Sequence, residues 1–222
     1  MAGLYQPPSS AVPTLGRITN LFVHPRPQTI NIHLTGKKFM CKFANGQLFY
    51  ESKLDLDTDG SVFSAQDVGP NGEQWGQMTT SAKDVDGHSL DADLINYFVL
   101  PGGFYAAHGI TIGDIGVVIY GARKVYACFG DVGPQHKLGE GSISLHRELG
   151  HETIVNRNAA GGTLVNSGIS SGVVTIVFPG SGNGLGRSNA ECATIGEPLF
   201  QELQRQANPV GDFPAFGARN IA

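Results

Sequence analysis

The stretch "DIGVVIYGARKVYACFG", residues 114–130, decides the fold. Two short apolar runs, 117–120 and 125–129, lie on either side of Gly121-Ala122. Short runs rich in β-branched and aromatic residues, separated by a glycine turn, are typical of a β-hairpin. We therefore expect an antiparallel pair of strands here.

Other parts of the chain repeat this signal. Residues 29–60 alternate between apolar and polar side chains and contain Asn45-Gly46, the strongest short hairpin signal. The segments "NYFVLPGGF" (96–104) and "GVVTIVFPG" (172–180) have the length and composition of buried strands. Many short strands with few helices predict a mainly β protein. It would be a compact β-barrel, for which a double-psi-like arrangement is one form, or a β-sandwich, with one or two short helices.

Two segments predict helices, and the length of 222 residues predicts one domain. "GSISLHRELG" (141–150) has Ser142 near its N-cap and ends at Gly150, and "GEPLFQELQRQA" (196–207) is the second helical segment. We expect residues 1–17 to form a flexible N-terminal arm, 18–205 a single domain that carries the candidate catalytic residues, and 206–222 a C-terminal tail.

Composition excludes several classes of partner. Charged residues make up only 15% of the chain and the net charge is −4, which gives no basis for binding nucleic acid or an acidic membrane. No apolar run is long enough to span a bilayer, and the N-terminal residues lack the pattern of a signal peptide. The three cysteines lack metal-ligand spacing, and we expect buried thiols rather than a disulfide pair.

Asp131 and Glu140 are the strongest candidates for catalysis. They flank a Gly-Pro turn, and each directly follows a glycine. A fold-back centred near residues 135–136 would place the two residues opposite or diagonal to one another, with carboxyls about 5–10 Å apart. Paired carboxylates at that separation cleave glycosidic bonds, one as acid and one as base or nucleophile. The alternative is ordinary turn chemistry and a solvated loop.

The segment "DLDTDG" (55–60) is the second acidic cluster. Its alternating aspartates resemble the start of a calcium loop, but Gln66 stands where a bidentate glutamate is needed. An acidic turn, or aspartates that hold sugar amines and hydroxyls, are the other interpretations. We expect no metal and no cofactor. His136 and His146 are expected on the surface.

Several stretches, taken in order, resemble the family 75 glycoside hydrolases, the endo-chitosanases known mainly from fungi. The resemblance is carried by "LDLDTDG" (54–60), "TTSAKDVDGHSLDADLINYFVLP" (79–101), "GDIGVVIYGARKVYACFGDVGP" (113–134), "LGEGSISLHRELG" (138–150) and "VVTIVFPGSG" (173–182). The family hydrolyses β-1,4 glucosamine linkages of chitosan internally and with inversion.

The resemblance implies roles for particular residues. It places the catalytic Asp on Asp131 of "FGDVGP" and the catalytic Glu on Glu140 of "GEGS", with Asp57 and Asp59 as fallback carboxylates. Because chitosan is a polycation below neutral pH, a cleft lined by acidic residues would attract it. The substrate-binding candidates are Asp55, Asp57, Asp59 and Asp114, and Tyr97, Tyr105 and Trp75 are candidates for stacking on sugar rings.

The expected partner is chitosan or a related polysaccharide, bound by a monomer. The resemblance implies secretion, whereas the chain shows no signal peptide, so the cellular location stays open. Two other functions compete: a lytic transglycosylase-like enzyme acting on peptidoglycan, and a glycan-binding module without catalysis. The first would release an anhydro sugar, and the second would bind polymer without forming new reducing ends.

Overall fold

The computed structural model describes residues 5–16, 18–23, 25–63, 66–68, 72, 76–158 and 161–207. The strands are β1 (Gln28–Thr29), β2 (Lys37–Lys42), β3 (Leu48–Asp57), β4 (Tyr97–Pro101), β5 (Ile115–Tyr120), β6 (Arg123–Gly133), β7 (Glu140–Ser142), β8 (Ile154–Asn158), β9 (Gly161–Leu164) and β10 (Gly168–Phe178). The helices are α1 (Val12–Leu15), α2 (Phe104–Ala107), α3 (Ile143–Glu148) and α4 (Asn189–Ala207), with a 3₁₀ helix at Ile18–Phe22.

Six strands close into a barrel of mixed direction. Their order is β3-β10-β5-β6-β4-β7, and β7 pairs back with β3. The β3–β7 and β4–β6 pairs are parallel, and the other pairs of the ring are antiparallel. β2 and β1 extend the sheet beyond β3, and β8 and β9 form a separate hairpin. The prediction of a mainly β protein is confirmed, and the architecture is a barrel rather than a sandwich.

Both predicted hairpins are present. β5 and β6 pair with Val118 opposite Val125 and turn at Gly121, whose φ of 58° lies in the left-handed region. β2 and β3 are antiparallel and turn at Gly46, with φ of 99°. Glycine reaches these conformations without a steric penalty, so the two turns follow from the local sequence.

Buried apolar residues form two clusters, and neighbouring residues of a strand alternate between them. On β5, Val117 belongs to one cluster and Val118 to the other. The cluster of Val117 also contains Phe200 and Leu203 of α4, so it lies between the barrel wall and that helix. The cluster of Val118 fills the barrel, as the period of two along a strand requires.

The two predicted helices are present, and the second is longer than expected. Ser142 caps α3 by accepting the N–H of Leu145 at 3.1 Å. α4 begins at Asn189, seven residues before the predicted segment, and Ser188 and Glu191 hydrogen-bond each other across its first turn. No helix in the described part of the chain is long and apolar enough to cross a membrane.

The described N-terminal residues pack on the barrel. Ala11 and Leu15 are buried, and the Tyr5 hydroxyl donates to Oε2 of Glu51 at 2.6 Å. The predicted boundaries at 17 and 205 remain predictions, and residues 208–222 of the predicted tail lie outside the described part.

Candidate active site

Four carboxylates from three parts of the fold line one cavity of about 300 Å³. Asp57 ends β3, Asp59 follows it in the adjoining turn, Asp131 lies on β6 and Glu140 begins β7. Sequence analysis singled out all four. The carboxylate oxygens of Asp57, Asp59 and Asp131 lie within 4.8 Å of one another.

A bulge in β6 directs Asp131 toward the cavity. Phe98 of β4 pairs with Phe129, but the next residue, Val99, pairs with Asp131, so Gly130 is an extra residue on β6. An extra residue reverses the side-chain alternation of a strand. A Cβ on Gly130 would lie 2.4 Å from Cβ of Tyr97, so only glycine fits at the bulge.

Three donors converge on one oxygen of Asp131. Its Oδ1 accepts the backbone N–H groups of Ser81 and Val132, each at 2.8 Å, and also the Ser81 hydroxyl. These hydrogen bonds fix the orientation of a side chain that is only 7% exposed. Asp131 therefore presents its second oxygen in a defined direction.

Glu140 reaches the cavity from β7. It pairs with Val99 of β4 on one side and with Asp55 of β3 on the other. Its Oε1 accepts from Nζ of Lys137 at 2.7 Å, and the same ammonium lies 3.1 Å from Oδ2 of Asp55. A Cβ on Gly133 would lie 2.8 Å from Oε2 of Glu140, so the glycine of "GDVGP" leaves room for this carboxylate.

The fold-back expected from the sequence is wrong in detail. Asp131 and Glu140 do not face each other across a hairpin, because β4 lies between β6 and β7. Both residues pair with Val99, one on each side. Two strand spacings separate their backbones by about 10 Å. The local turn signal could not reveal that a distant strand inserts between the two.

Among the acids of the cavity, Asp57 has the pKa that is raised furthest from its usual value. Burial raises its pKa to about 8, and the negative charges of Asp59, Asp131 and Glu140 add to the shift. Its Oδ1 accepts the backbone N–H of Asp59 at 2.8 Å. Asp57 therefore favours its neutral form near neutral pH. A strand, not the helix of a calcium-binding helix pair, precedes the "DLDTDG" segment.

Asp59 lies beside Asp131. Its Oδ1 accepts the backbone N–H of Gln77 at 2.7 Å, and its carboxylate has an oxygen within 4.8 Å of one of Asp131. Burial, followed by the charges of Asp131 and Glu140, raises its pKa to about 6. The hydroxyl of Tyr97 donates to the backbone oxygen of Asp59 at 2.9 Å and so stabilises the turn. Because Tyr97 is fully buried, it presents no ring face to a ligand.

Other predicted residues lie elsewhere. Asp114 is fully buried and bonds the backbone N–H groups of Thr111 and Gly182, so it holds a turn and does not reach the cavity. Tyr105 packs against Phe129 with ring centroids 5.0 Å apart, and Trp75 lies outside the described residues.

The prediction that His146 lies on the surface is wrong. It is fully buried, and its two ring nitrogens each lie 2.9 Å from a backbone oxygen, of Ser142 and Leu54. The ring thus ties α3 to β7 and β3, behind Glu140. His136 is exposed, as expected.

Sequence analysis missed three residues that organise the site. Lys137 pairs with Glu140, Ser81 holds Asp131, and the N–H of Gln77 holds Asp59. Of these, only Lys137 had a local signal, since it lies three residues before Glu140. Ser81 and Gln77 are distant in sequence and act largely through backbone groups, which any residue type supplies.

A second acidic group lies on the surface. Asp84, Asp86 and His88 bring ligand atoms within 4.8 Å of one another, but Oδ1 of Asp84 already accepts the N–H groups of Asp86 and His88. This is the geometry of an Asx turn. The hydrogen bonds of Asp84 therefore stabilise the turn.

Comparison with known families gives one match. The family model described as fungal chitosanase of glycosyl hydrolase group 75 matches residues 54–212. The matched range contains all four carboxylates of the cavity. No curated protein matches the chain.

Proposed function

Because the chain belongs to glycosyl hydrolase group 75, the fungal chitosanases, we propose that it cleaves chitosan internally and with inversion, using Asp131 and Glu140. Family membership indicates a glycoside hydrolase that acts on chitosan. One observation supports the choice of residues: two carboxylates line one cavity from opposite sides of Val99.

The spacing of the two strands supports inversion. An inverting pair needs about 6.5–9.5 Å between carboxyls to admit a water, whereas a retaining pair stands at about 5–5.5 Å. Backbones two strands apart, about 10 Å, suit the longer separation better. A sugar linkage would lie over Val99, with the water beside Asp131.

In the proposed mechanism Asp131 is the base. The three donors on its Oδ1 fix its orientation, and Oδ2 can take a proton from the attacking water. Glu140 is the acid and gives its proton to the leaving oxygen. The ammonium of Lys137 contacts both Glu140, at 2.7 Å, and Asp55, at 3.1 Å, and so positions the Glu140 side chain.

The charge of the cavity supports a cationic substrate. Besides Asp57, whose raised pKa favours the neutral form near neutral pH, its lining carries three acidic side chains and, among the described residues, one cation, Lys137. Oxygens of Asp57 and Asp59 lie close enough together to accept from one glucosamine ammonium. Binding should weaken as salt rises, because salt screens charges that are exposed to solvent.

The test is a reducing-end assay on chitosan, chitin and cellulose with wild type, Glu140→Gln and Asp131→Asn. We expect cleavage of chitosan by wild type and a loss of at least about 10²-fold in each variant, with folding retained in circular dichroism. Product NMR should show the α-anomer first, and product lengths should show internal cleavage.

Azide should restore part of the activity of Asp131→Asn, because a small anion can replace a missing base beside the water site. Wild-type turnover by Glu140→Gln would end the assignment of that residue. An anhydro sugar in the mass spectrum would replace hydrolysis by the transglycosylase reaction.

A further inference from the structure

A direct contact between two carboxyl groups sits inside the cavity. Asp59 comes from the turn after β3 and Asp131 from β6 beside its bulge, and carboxylate oxygens of the two lie within 4.8 Å of each other. Like charges this close in a partly buried cavity do not both ionise freely. This geometry favours one proton held between the two side chains.

The backbone fixes this contact from both sides. Gln77 binds Oδ1 of Asp59, while Ser81 and Val132 bind Oδ1 of Asp131. Each carboxyl thus has one oxygen held by hydrogen bonds from the backbone, and these bonds keep the two carboxyls beside each other. Neither side chain can rotate away without giving up hydrogen bonds to backbone N–H groups.

The surrounding charges favour retention of the proton. Asp57 and Glu140 face the pair from β3 and β7, and the hydroxyl of Tyr97 approaches from β4. The cation of the lining, Lys137, is engaged by Glu140 and Asp55. Burial, followed by the charges of Asp131 and Glu140, raises the pKa of Asp59 to about 6.

We propose that Asp59 is a positioning residue that shares one proton with Asp131, and that the pair must release this proton before Asp131 can act as the base. This inference rests on the proposed function. With the proton in place, the second oxygen of Asp131 is occupied. Once the proton leaves for solvent, the neighbouring Asp59 anion strengthens Asp131 as a proton acceptor.

Hydrolysis follows once Asp131 is free to accept a proton. The water oxygen forms a bond to the anomeric carbon while its proton passes to Asp131. The bond from that carbon to the leaving oxygen breaks, and the leaving oxygen takes the proton of Glu140. Asp59 forms and breaks no bond to substrate in this step; it sets the pH at which Asp131 becomes available.

The kinetic test is Asp59→Asn, which keeps the shape and removes the titrating group. The acid limb of kcat/KM should move down by about one pH unit, because Asp131 no longer shares a proton. At the optimum, kcat should fall about tenfold because the base is weaker, while KM changes little. Asp59→Glu should restore part of the original pH profile. An acid limb that stays in place in Asp59→Asn would overturn the proposal, since a purely structural role would lower activity equally at every pH.

A second test needs no substrate. In carbon-13 NMR of aspartate carboxyls, the Asp59 signal should titrate at lower pH in Asp131→Asn than in wild type. An unchanged titration of Asp59 would refute the shared proton. If wild type failed to cleave chitosan, the proposed function would fall while this titration still decided the pairing.

Discussion

At the scale of single residues, two glycines and one lysine determine what the acids can do. Gly130 permits the bulge that turns Asp131 into the cavity, and Gly133 leaves space for Oε2 of Glu140. Lys137 then stands between Glu140 and Asp55 and fixes the position of the Glu140 carboxylate. The proposed acid-base pair therefore depends on three neighbours that take no part in the reaction themselves.

Replacing Lys137 by Met tests the role of Glu140. Without the ammonium, Glu140 loses the 2.7 Å contact that positions its Oε1. We therefore expect kcat for chitosan to fall by up to about 10²-fold while KM changes little, because a misplaced catalytic group slows the chemical step. A wild-type kcat in Lys137→Met would show that this contact does not position Glu140. Lys53→Met is the matched control, because Lys53 pairs with Asp55 and not with Glu140.

At the scale of elements, Arg157 helps to hold the β8–β9 hairpin to the rest of the fold, together with Ile154 and Leu164 in the apolar core. Arg157 on β8 bonds Asp67 at 2.6 Å and Asp93 at 2.8 Å, and its guanidinium lies 5.0 Å from the ring centroid of Phe63. Both carboxylates are buried. The hairpin shares no ladder with the barrel sheet, so this ion cluster is a main tie between them.

Arg157→Met should lower the free energy of unfolding by about 3–5 kcal/mol, because two buried carboxylates lose their cation. Urea unfolding followed by fluorescence measures the loss. Arg205→Met is the control: Arg205 pairs with Glu202 on the surface of α4, and its loss should cost less than about 1 kcal/mol. Equal losses in the two variants would show that the cluster contributes no more than a surface pair.

At the scale of the whole molecule, the acidic cavity makes stability depend on pH. Asp57 has a pKa of about 8 in the fold, against about 3.9 in an unfolded chain. The folded state therefore binds more protons than the unfolded state between those values. Stability is full below about pH 4, falls as pH rises toward 8, and is level above that. The burial of Asp57 in this cavity therefore lowers the stability of the fold near neutral pH.

Asp57→Asn removes this dependence, because the amide stays neutral at every pH. Its Tm should be close to that of wild type at pH 4 and higher than wild type at pH 8. Differential scanning fluorimetry from pH 4 to 9 measures the difference. Asp86→Asn, on the exposed turn, is the control and should follow wild type throughout. A variant that loses stability at pH 8 would contradict the assignment.

The sequence predicted those parts of the fold that local chemistry dictates. The turns at Gly46 and Gly121 and the cap at Ser142 each rest on a few adjacent residues, and all three were found. The insertion of β4 between β6 and β7 depends on pairing between distant segments, which no local pattern encodes. The hydrogen bonds of Asp114 to Thr111 and Gly182 also depend on the folded chain. The sequence alone therefore placed Asp114 in the cleft, whereas it stabilises a turn.

β7 completes the ring of strands with only three residues, and Glu140 is the first of them. The short strand that closes the barrel therefore also carries the residue that we propose as the proton donor. If β7 separated from its neighbours, we expect chitosan cleavage to stop while most of the molecule stayed folded, so loss of turnover would be an early measure of barrel opening. Substitutions that stabilise the barrel at β7 would also affect the proposed chemistry.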